Sequence, residues 1–207
     1  MIEKLVLVRH GQTVQNVAGI AQGWNDSALS DAGREQVQRL AERLAKFNAT
    51  ALYSSTLGRA LSTAQAIADA TGLEITPLDD LREMNYGGWE GRSFLDVRRE
   101  DDEAYQRWIA DESCPCPGGE SHADVRQRLE RAFATIDSPR PIVVTHGTAI
   151  RIAATVLLEL PAMHSRFFAQ DNAAVNLFVQ RGGRWVLKTW NDATHCEGAE
   201  AHRRTGS

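Results

Sequence analysis

Two short stretches far apart in the chain carry residues that could do chemistry together: Arg9-His10-Gly11 and His146-Gly147. Each closes a short apolar run, Leu5 to Val8 in the first case and Pro141 to Val144, followed by Thr145, in the second. Histidine can act as a nucleophile or as an acid and base. Arginine binds phosphate through a planar fork of donors, and glycine lets another group approach the backbone closely. One such ending alone reads as a core strand with a polar exit. A matched pair is harder to dismiss, because two buried strands ending in His-Gly can set two imidazoles side by side at one sheet edge. Arg59 offers a second guanidinium. It falls in the first turn of a predicted helix, where a cation opposes the helix dipole but is well placed to share an anion with the free N–H groups. The stretch Asp79 to Gly91 adds the acids Asp79, Asp80, Glu83 and Glu90. This is an inventory for phosphoryl transfer. Two arginines and an imidazole can hold three phosphoryl oxygens, the other imidazole can attack phosphorus, and a carboxylic acid can protonate the departing alkoxide.

The elements that must position these groups follow from the pattern. A short continuous apolar run marks a strand buried on both faces, and open α/β sheets keep their ligand crevice at the carboxyl strand ends. After the first strand, Gln12 to Leu29 is a long polar connection holding Asn16, Gln22, Gly23 and Trp24. Long loops in compact domains are functional or disordered, and this one starts at His10. Ser30 caps a helix whose apolar face is Val37, Leu40, Leu44 and Phe47. Ala51 to Ser55 reads as a strand, Gly58 to Thr71 as a helix closed by Gly72, and Glu74 to Leu78 as a third strand. Residues 92–109 read as a polar helical insertion, followed by an irregular segment at 113–120. Ser121 caps a helix with Val125, Leu129, Phe133 and Ile136 inward. The His146 strand comes next, then a helix through Leu158. A hairpin of Ala174–Gln180 and Arg184–Trp190 turns at Gly182-Gly183. Alternating strands and helices predict a sheet covered on both faces. One domain over residues 1–196 is expected, with residues 197–207 as a mobile polar tail.

Composition narrows the function classes. The 207 residues are 43% hydrophobic and 24% charged, ordinary for a globular protein of one domain or one domain with an inserted part. A net charge of −4 gives no general reason to bind nucleic acid or an anionic membrane, so any positive field must be local. No segment approaches the roughly 20 apolar residues of a membrane span, and no basic-then-apolar leader precedes the first strand. Three cysteines, Cys114, Cys116 and Cys196, form no disulfide framework and fit a reducing cytoplasm. Cys114-Pro-Cys116 is too closely spaced, with too few partners, for zinc, and no histidines have ligand spacing, so no metal site is expected.

With these residues in view, the chain resembles the histidine phosphatase superfamily, also called phosphoglycerate mutase-like. The matching motifs are LVRHGQT (7–13), SSTLGRALSTA (54–64), LREMNYGGWEG (81–91), PGGES (117–121) and VVTHG (143–147). They follow the family's order and extend the likeness over residues 3 to 191. The resemblance implies an α/β fold: a three-layer αβα sandwich with a mainly parallel central sheet and a small helical insertion around 92–120. It implies a covalent phosphohistidine on His10, with Arg9, Arg59 and His146 completing the phosphate pocket. Asn16, Gln22, Gly23 and the Gly147 backbone would line it. Glu83 would be the proton donor, a choice over Asp79, Asp80 and Glu90 that rests on motif position. His122, which follows PGGES, would come near the site. The implied activity is metal-independent hydrolysis of a small phosphorylated metabolite. No cofactor is expected, and no partner beyond substrate and a second copy of the chain in a homodimer.

Two other classes compete. A mutase would use the same pocket to return the phosphoryl group to an organic acceptor. A non-catalytic phospho-ligand module would keep the arginines but have little reason to keep both histidines and Glu83. Mutases of this family resemble Glu-Arg-His-Tyr-Gly around the acid, with the extra arginine gripping the substrate carboxylate. Here the stretch is Glu83-Met84-Asn85-Tyr86-Gly87, and Arg98-Arg99 is followed by Glu100, Asp101 and Asp102, which would repel an anionic substrate. Hydrolysis is therefore the expected outcome.

Overall fold

The apolar run that ends at Arg9 becomes strand β1 (Lys4–Arg9), and its side chains divide between two cores. In the computed structural model, which describes residues 2–197, Leu5 and Leu7 enter one apolar cluster and Val6 and Val8 the other. The division follows from the two-residue repeat of a strand, and it requires helices on both faces. From β1 the chain continues through α1 (Val14–Val17), α2 (Asp31–Leu44), β2 (Ala51–Ser55), α3 (Gly58–Thr71) and β3 (Ile75–Leu78). Two 3₁₀ turns, Asp79–Leu81 and Gly87–Trp89, precede α4 (Phe94–Glu100) and α5 (Asp102–Ala110). Then come α6 (His122–Thr135), β4 (Pro141–Thr145), α7 (Gly147–Leu157) and the hairpin β5 (Val175–Arg181) and β6 (Arg184–Asp192).

The six strands lie in the order β3-β2-β4-β1-β5-β6. The first four run parallel, and β5 and β6 are antiparallel additions at one edge. Helices α2 and α3 cover one face through Leu40, Leu44, Ala60, Ala64 and Ile67. Helices α6 and α7 cover the other through Val125, Leu129, Ile150 and Ile152. The three-layer αβα architecture is therefore as expected. Its most consequential detail is that β1 and β4 are parallel neighbours with Arg9 opposite Thr145. The next residue of each chain segment is then His10 and His146, at the same sheet edge.

Local capping fixes where the helices begin. Ser30 Oγ accepts from Gly33 N at 3.0 Å, and Ser121 and Asp124 form a reciprocal capping box on α6. Gly33 also lets α2 press on the segment after His10, since a Cβ there would lie 1.9 Å from the Gln12 carbonyl oxygen. Alanine is favoured over glycine inside helices by about 1 kcal/mol, but a backbone collision of that depth outweighs the preference. The same junction is tied by Gly11 N donating to Thr63 Oγ1 at 3.1 Å and Gln12 N donating to Gln36 Oε1 at 3.0 Å.

The structure differs from the sequence expectations in two elements. The connection 12–29 is not without secondary structure: Thr13 caps the single turn α1, with Asn16 completing a capping box, and Thr13 bridges to Leu29. The insertion is helical but not simply polar. Phe94, Tyr105 and Trp108 pack with Tyr86 and Trp89, and the Trp108 ring lies 5.5 Å from Trp89 and 5.8 Å from Phe94. Charges on its outer face hide that aromatic stripe from a reading of composition. The expected tail falls on residues 198–207, outside the described residues, apart from Glu197. Among the described residues no helix is long and apolar enough to cross a membrane.

Candidate active site

His10 and His146 meet with ring centroids 5.1 Å apart. His10 Nδ1 lies 2.7 Å from the Gly11 carbonyl oxygen. A carbonyl only accepts, so Nδ1 carries the hydrogen and Nε2 keeps its lone pair. Burial pushes the His10 imidazole well below its ordinary range, and the Arg59 and Arg9 charges push the same way. His10 is therefore neutral, with a free Nε2. His146 Nε2 bonds Ser55 Oγ at 2.7 Å, and its buried Nδ1 has no hydrogen-bond partner among the described residues. It too is held well below the ordinary histidine range, by burial first and then by Arg59 and its neighbours.

The two guanidiniums are held from behind. Arg9 Nη1 donates to the Gln170 carbonyl, and its Nε is unpartnered. The Arg9 head lies against Gly147, where a Cβ would come within 3.3 Å of Nε, so that glycine makes room for it. Burial lowers Arg9 to about 10, opposed by Glu83 and assisted by Arg151, which leaves the charge in place at neutral pH. Arg59 is only 2% exposed and gives Nη2 to the Gly23 carbonyl at 2.7 Å and Nη1 to the Asn25 carbonyl at 2.9 Å. Its Nε is also unpartnered. One expectation is corrected here: the first amides of α3 are not free for a ligand. Asp26 accepts from Gly58 N and from Arg59 N, and pairs with the Arg59 guanidinium at 3.3 Å. A carboxylate at the positive end of the helix dipole answers the cation placed there.

Glu83 occupies the equivalent position on α7. Its carboxylate accepts from Thr148 N at 3.1 Å, Ala149 N at 3.0 Å and Met84 N at 2.9 Å. The competing acids are engaged elsewhere. Asp79 pairs with Arg82 at 2.7 Å, Asp80 with Arg131 at 2.8 Å, and Glu90 accepts from Trp24 N, Asn25 N and Tyr86 N. The backbone under Glu83 is clamped by Arg128, which donates to the carbonyls of Asp80, Arg82 and Glu83 at 3.0, 2.6 and 2.9 Å. Glu120 of the PGGES segment pairs with Arg128 at 2.8 Å and accepts from Asn85 N at 2.7 Å. The segment thus reaches the site through the support of Glu83.

The loop residues divide. Gly23 contributes its carbonyl to Arg59 and takes φ +54°, and a Cβ there would collide with the Glu90 carboxylate. Gln22 is buried with Oε1 unpartnered. Asn16 Oδ1 instead accepts from Thr13 N at 3.1 Å and from Asn172 Nδ2 at 3.0 Å. Asn172 Nδ2 also donates to the His10 carbonyl at 3.2 Å. His122 is buried against the Trp108 ring at 4.9 Å, and burial with the Arg151 charge lowers it to about 4. Ser55, Asp26, Arg128, Gln170, Asn172 and Arg151 were not singled out from the sequence. Ser55 stands inside SSTLGR and a serine at a strand end was a usable signal, whereas Gln170 and Asn172 lie in a stretch with no pattern. Among the described residues no His, Cys, Asp or Glu side chains are gathered as metal ligands would be.

A family model, the histidine phosphatase superfamily (branch 1), matches residues 5–193. The chain belongs to the histidine phosphatase superfamily. An Erwinia tasmaniensis protein named "Probable phosphoglycerate mutase GpmB" is 33% identical over 205 residues, covering 94% of this chain and 95% of that protein. Solved structures give other names. A phosphoserine phosphatase mutant from Entamoeba histolytica, in complex with phosphoserine, has TM-score 0.82 and 30% identity, covering 93% of this chain and 98% of that one. Mycobacterial glucosyl-3-phosphoglycerate phosphatase has TM-score 0.81 and 33% identity, covering 91% and 98%. With relatives named as mutase and as phosphatases, the chain is an enzyme of phosphatase or mutase type.

The buried histidines tie stability to pH. Unfolded histidines bind protons below about pH 6.5, whereas folded His10, His146 and His122 resist them, so the unfolded state binds more protons in that range. Stability should therefore be full above about pH 6.5 and fall as pH drops, by up to ~1.4 kcal/mol per pH unit for each histidine. Urea melts of the ligand-free protein between pH 7 and 5 measure this. In His10→Asn the slope should be shallower, and an unchanged slope would remove His10 from the explanation.

Proposed function

We propose that the protein is a phosphomonoesterase that hydrolyses a small phosphorylated metabolite through a phosphohistidine on His10, without a metal ion. The observation that carries this reading is the pinned His10 ring: Nδ1–H is given to the Gly11 carbonyl and Nε2 is bare, 5.1 Å ring to ring from a second neutral imidazole. In the first step Nε2 attacks phosphorus and the ester P–O bond breaks. Arg9 and Arg59, with unpartnered Nε groups, hold the equatorial oxygens, and His146 adds a ring nitrogen. Glu83 gives its proton to the departing alkoxide. The three amides around its carboxylate, two of them at the start of α7, then face the negative charge left behind. In the second step water attacks the phosphohistidine, Glu83 takes the water's proton, and the P–N bond breaks to return neutral His10 and inorganic phosphate.

Hydrolysis is favoured over mutase chemistry by position 84, where the mutase pattern has its arginine and this chain has Met84, fully buried in the core. Neither Met84 nor Asn85, whose side chain accepts from Gly87 N at 2.8 Å to close the turn beside Glu83, offers a cation to retain a dephosphorylated intermediate.

Three outcomes test the reading. Brief exposure to labelled substrate in the presence of a chelator, quenched in alkali, should trap acid-labile phosphate on the protein and none on His10→Ala. Label that survives in that variant, or that needs added magnesium, would overturn the mechanism. Glu83→Gln should slow alkyl phosphates by roughly 10²–10⁴ and aryl phosphates, whose leaving groups need little protonation, far less; equal losses would take the acid role from Glu83. Phosphorus NMR of phosphoglycerate turnover should show inorganic phosphate as the main product. Isomer exchange outrunning phosphate release would make the mutase assignment correct.

A further inference from the structure

Arg151 lies on α7 one turn beyond Gly147 and Thr148. Helical side chains lean toward the N-terminus of their helix, which returns this guanidinium toward the end that holds Glu83. Nη2 donates to Thr148 Oγ1 at 2.7 Å, and the same oxygen bonds the buried Tyr86 hydroxyl at 2.6 Å. Nε is buried without a partner, and among the described residues no carboxylate lies within ion-pair distance. The arginines of the facing helix differ in this respect: Arg126, Arg128 and Arg131 are paired with Glu130, Glu120 and Asp80. The Arg151 charge is felt at Arg9, at Tyr86 and at His122, groups from three other parts of the chain. His122 contributes a second orphan, a buried Nδ1 with no partner. Arg9 and Arg59 already have the Glu83 and Asp26 carboxylates as counter-charges. Arg151 has none among the described residues, and an unpaired cation in a partly buried place is unfavourable until an anion arrives.

We propose that Arg151, with Tyr86, Thr148 and His122 around it, forms a second anion subsite that reads a carboxylate or a second phosphate on the alcohol portion of the substrate. This deepens the phosphomonoesterase reading and rests on it. The substrate class becomes phosphomonoesters whose leaving alcohol is itself an anion. The cation absent at position 84 is supplied from α7.

Matched substrates test it. 3-Phosphoglycerate and glycerol 3-phosphate differ in a carboxylate against a hydroxymethyl group, and fructose 1,6-bisphosphate and fructose 6-phosphate differ in a second phosphate. The wild-type protein should favour the anionic member of at least one pair in kcat/KM. Arg151→Gln should lose roughly 10- to 100-fold on that member, chiefly in KM, with a loss at least tenfold smaller on its neutral partner. A differential confined to the first pair assigns a carboxylate, and one confined to the second assigns a phosphate. Equal losses on both members, or no wild-type preference in either pair, overturn the subsite. If the wild type releases no phosphate from any of the four, hydrolysis of these substrates fails separately. Calorimetry on His10→Ala then decides the subsite. Tighter binding of an anionic member, abolished by adding Arg151→Gln, supports it, and equal binding overturns it.

Discussion

Everything in this site answers to the burial of two guanidiniums, Arg9 and Arg59, beside two imidazoles at one sheet edge. Gathering like charges away from water is unfavourable unless each is neutralised or hydrogen-bonded. The protein meets that demand with carbonyls behind each arginine, from Gln170, Gly23 and Asn25, and with the Asp26 carboxylate. Glu83 provides the longer-range counter-charge, and it is the leading electrostatic influence favouring the charged form of both arginines. The histidines yield instead: burial and the neighbouring cations keep His10 and His146 neutral. The same positive field therefore attracts the phosphoryl group and keeps its attacker unprotonated.

The fold supplies this concentration of groups through one register. Because Arg9 faces Thr145 across adjacent parallel strands, the following residues are forced together, and His10 N donates to the Thr145 carbonyl at 3.0 Å. Helix α7 starts immediately after His146, so its first amides are at the same edge, and Glu83 is delivered to them from the loop beyond β3. That loop has no sheet partner of its own to fix it. Arg128 substitutes by binding three of its carbonyls, and Glu120 keeps Arg128 in place. Removing Arg128 would leave three carbonyls unanswered and the Glu120 carboxylate without its cation, a penalty of order 3–5 kcal/mol where such a pair is buried.

Much of this was legible from residue order because its causes are local. Two apolar runs ending in His-Gly, the caps Ser30 and Ser121 and the Gly182-Gly183 turn give strands, helix starts and a hairpin close to those observed. What escaped depends on contacts between distant segments. Asp26 reaches α3 across 32 positions, and Asn172 reaches His10 across 162. No periodicity announces either. The aromatic stripe of α4 and α5 was masked because Arg98, Arg99, Glu100 and Asp102 dominate its composition, although Phe94, Tyr105 and Trp108 face inward. A reading by composition averages over helix faces, and burial does not.

The exchange of cations around the leaving group shows how one scaffold can alter its choice of substrate. An arginine at position 84 would stand on the acid loop next to Glu83, and its grip would move with that loop. Here Met84 is buried in the core, Asn85 is tied into the turn through Gly87 N, and Glu120 holds the Asn85 amide, so the loop is rigid without contributing charge. Arg151 instead stands on α7, whose inner side is packed in the core through Ile150, Ile152 and Ala153. A cation on a buried helix is fixed relative to His146 and to the amides that hold Glu83. It therefore constrains where an anionic alcohol can sit without enclosing it, which suits a reaction in which that alcohol must leave before water can enter.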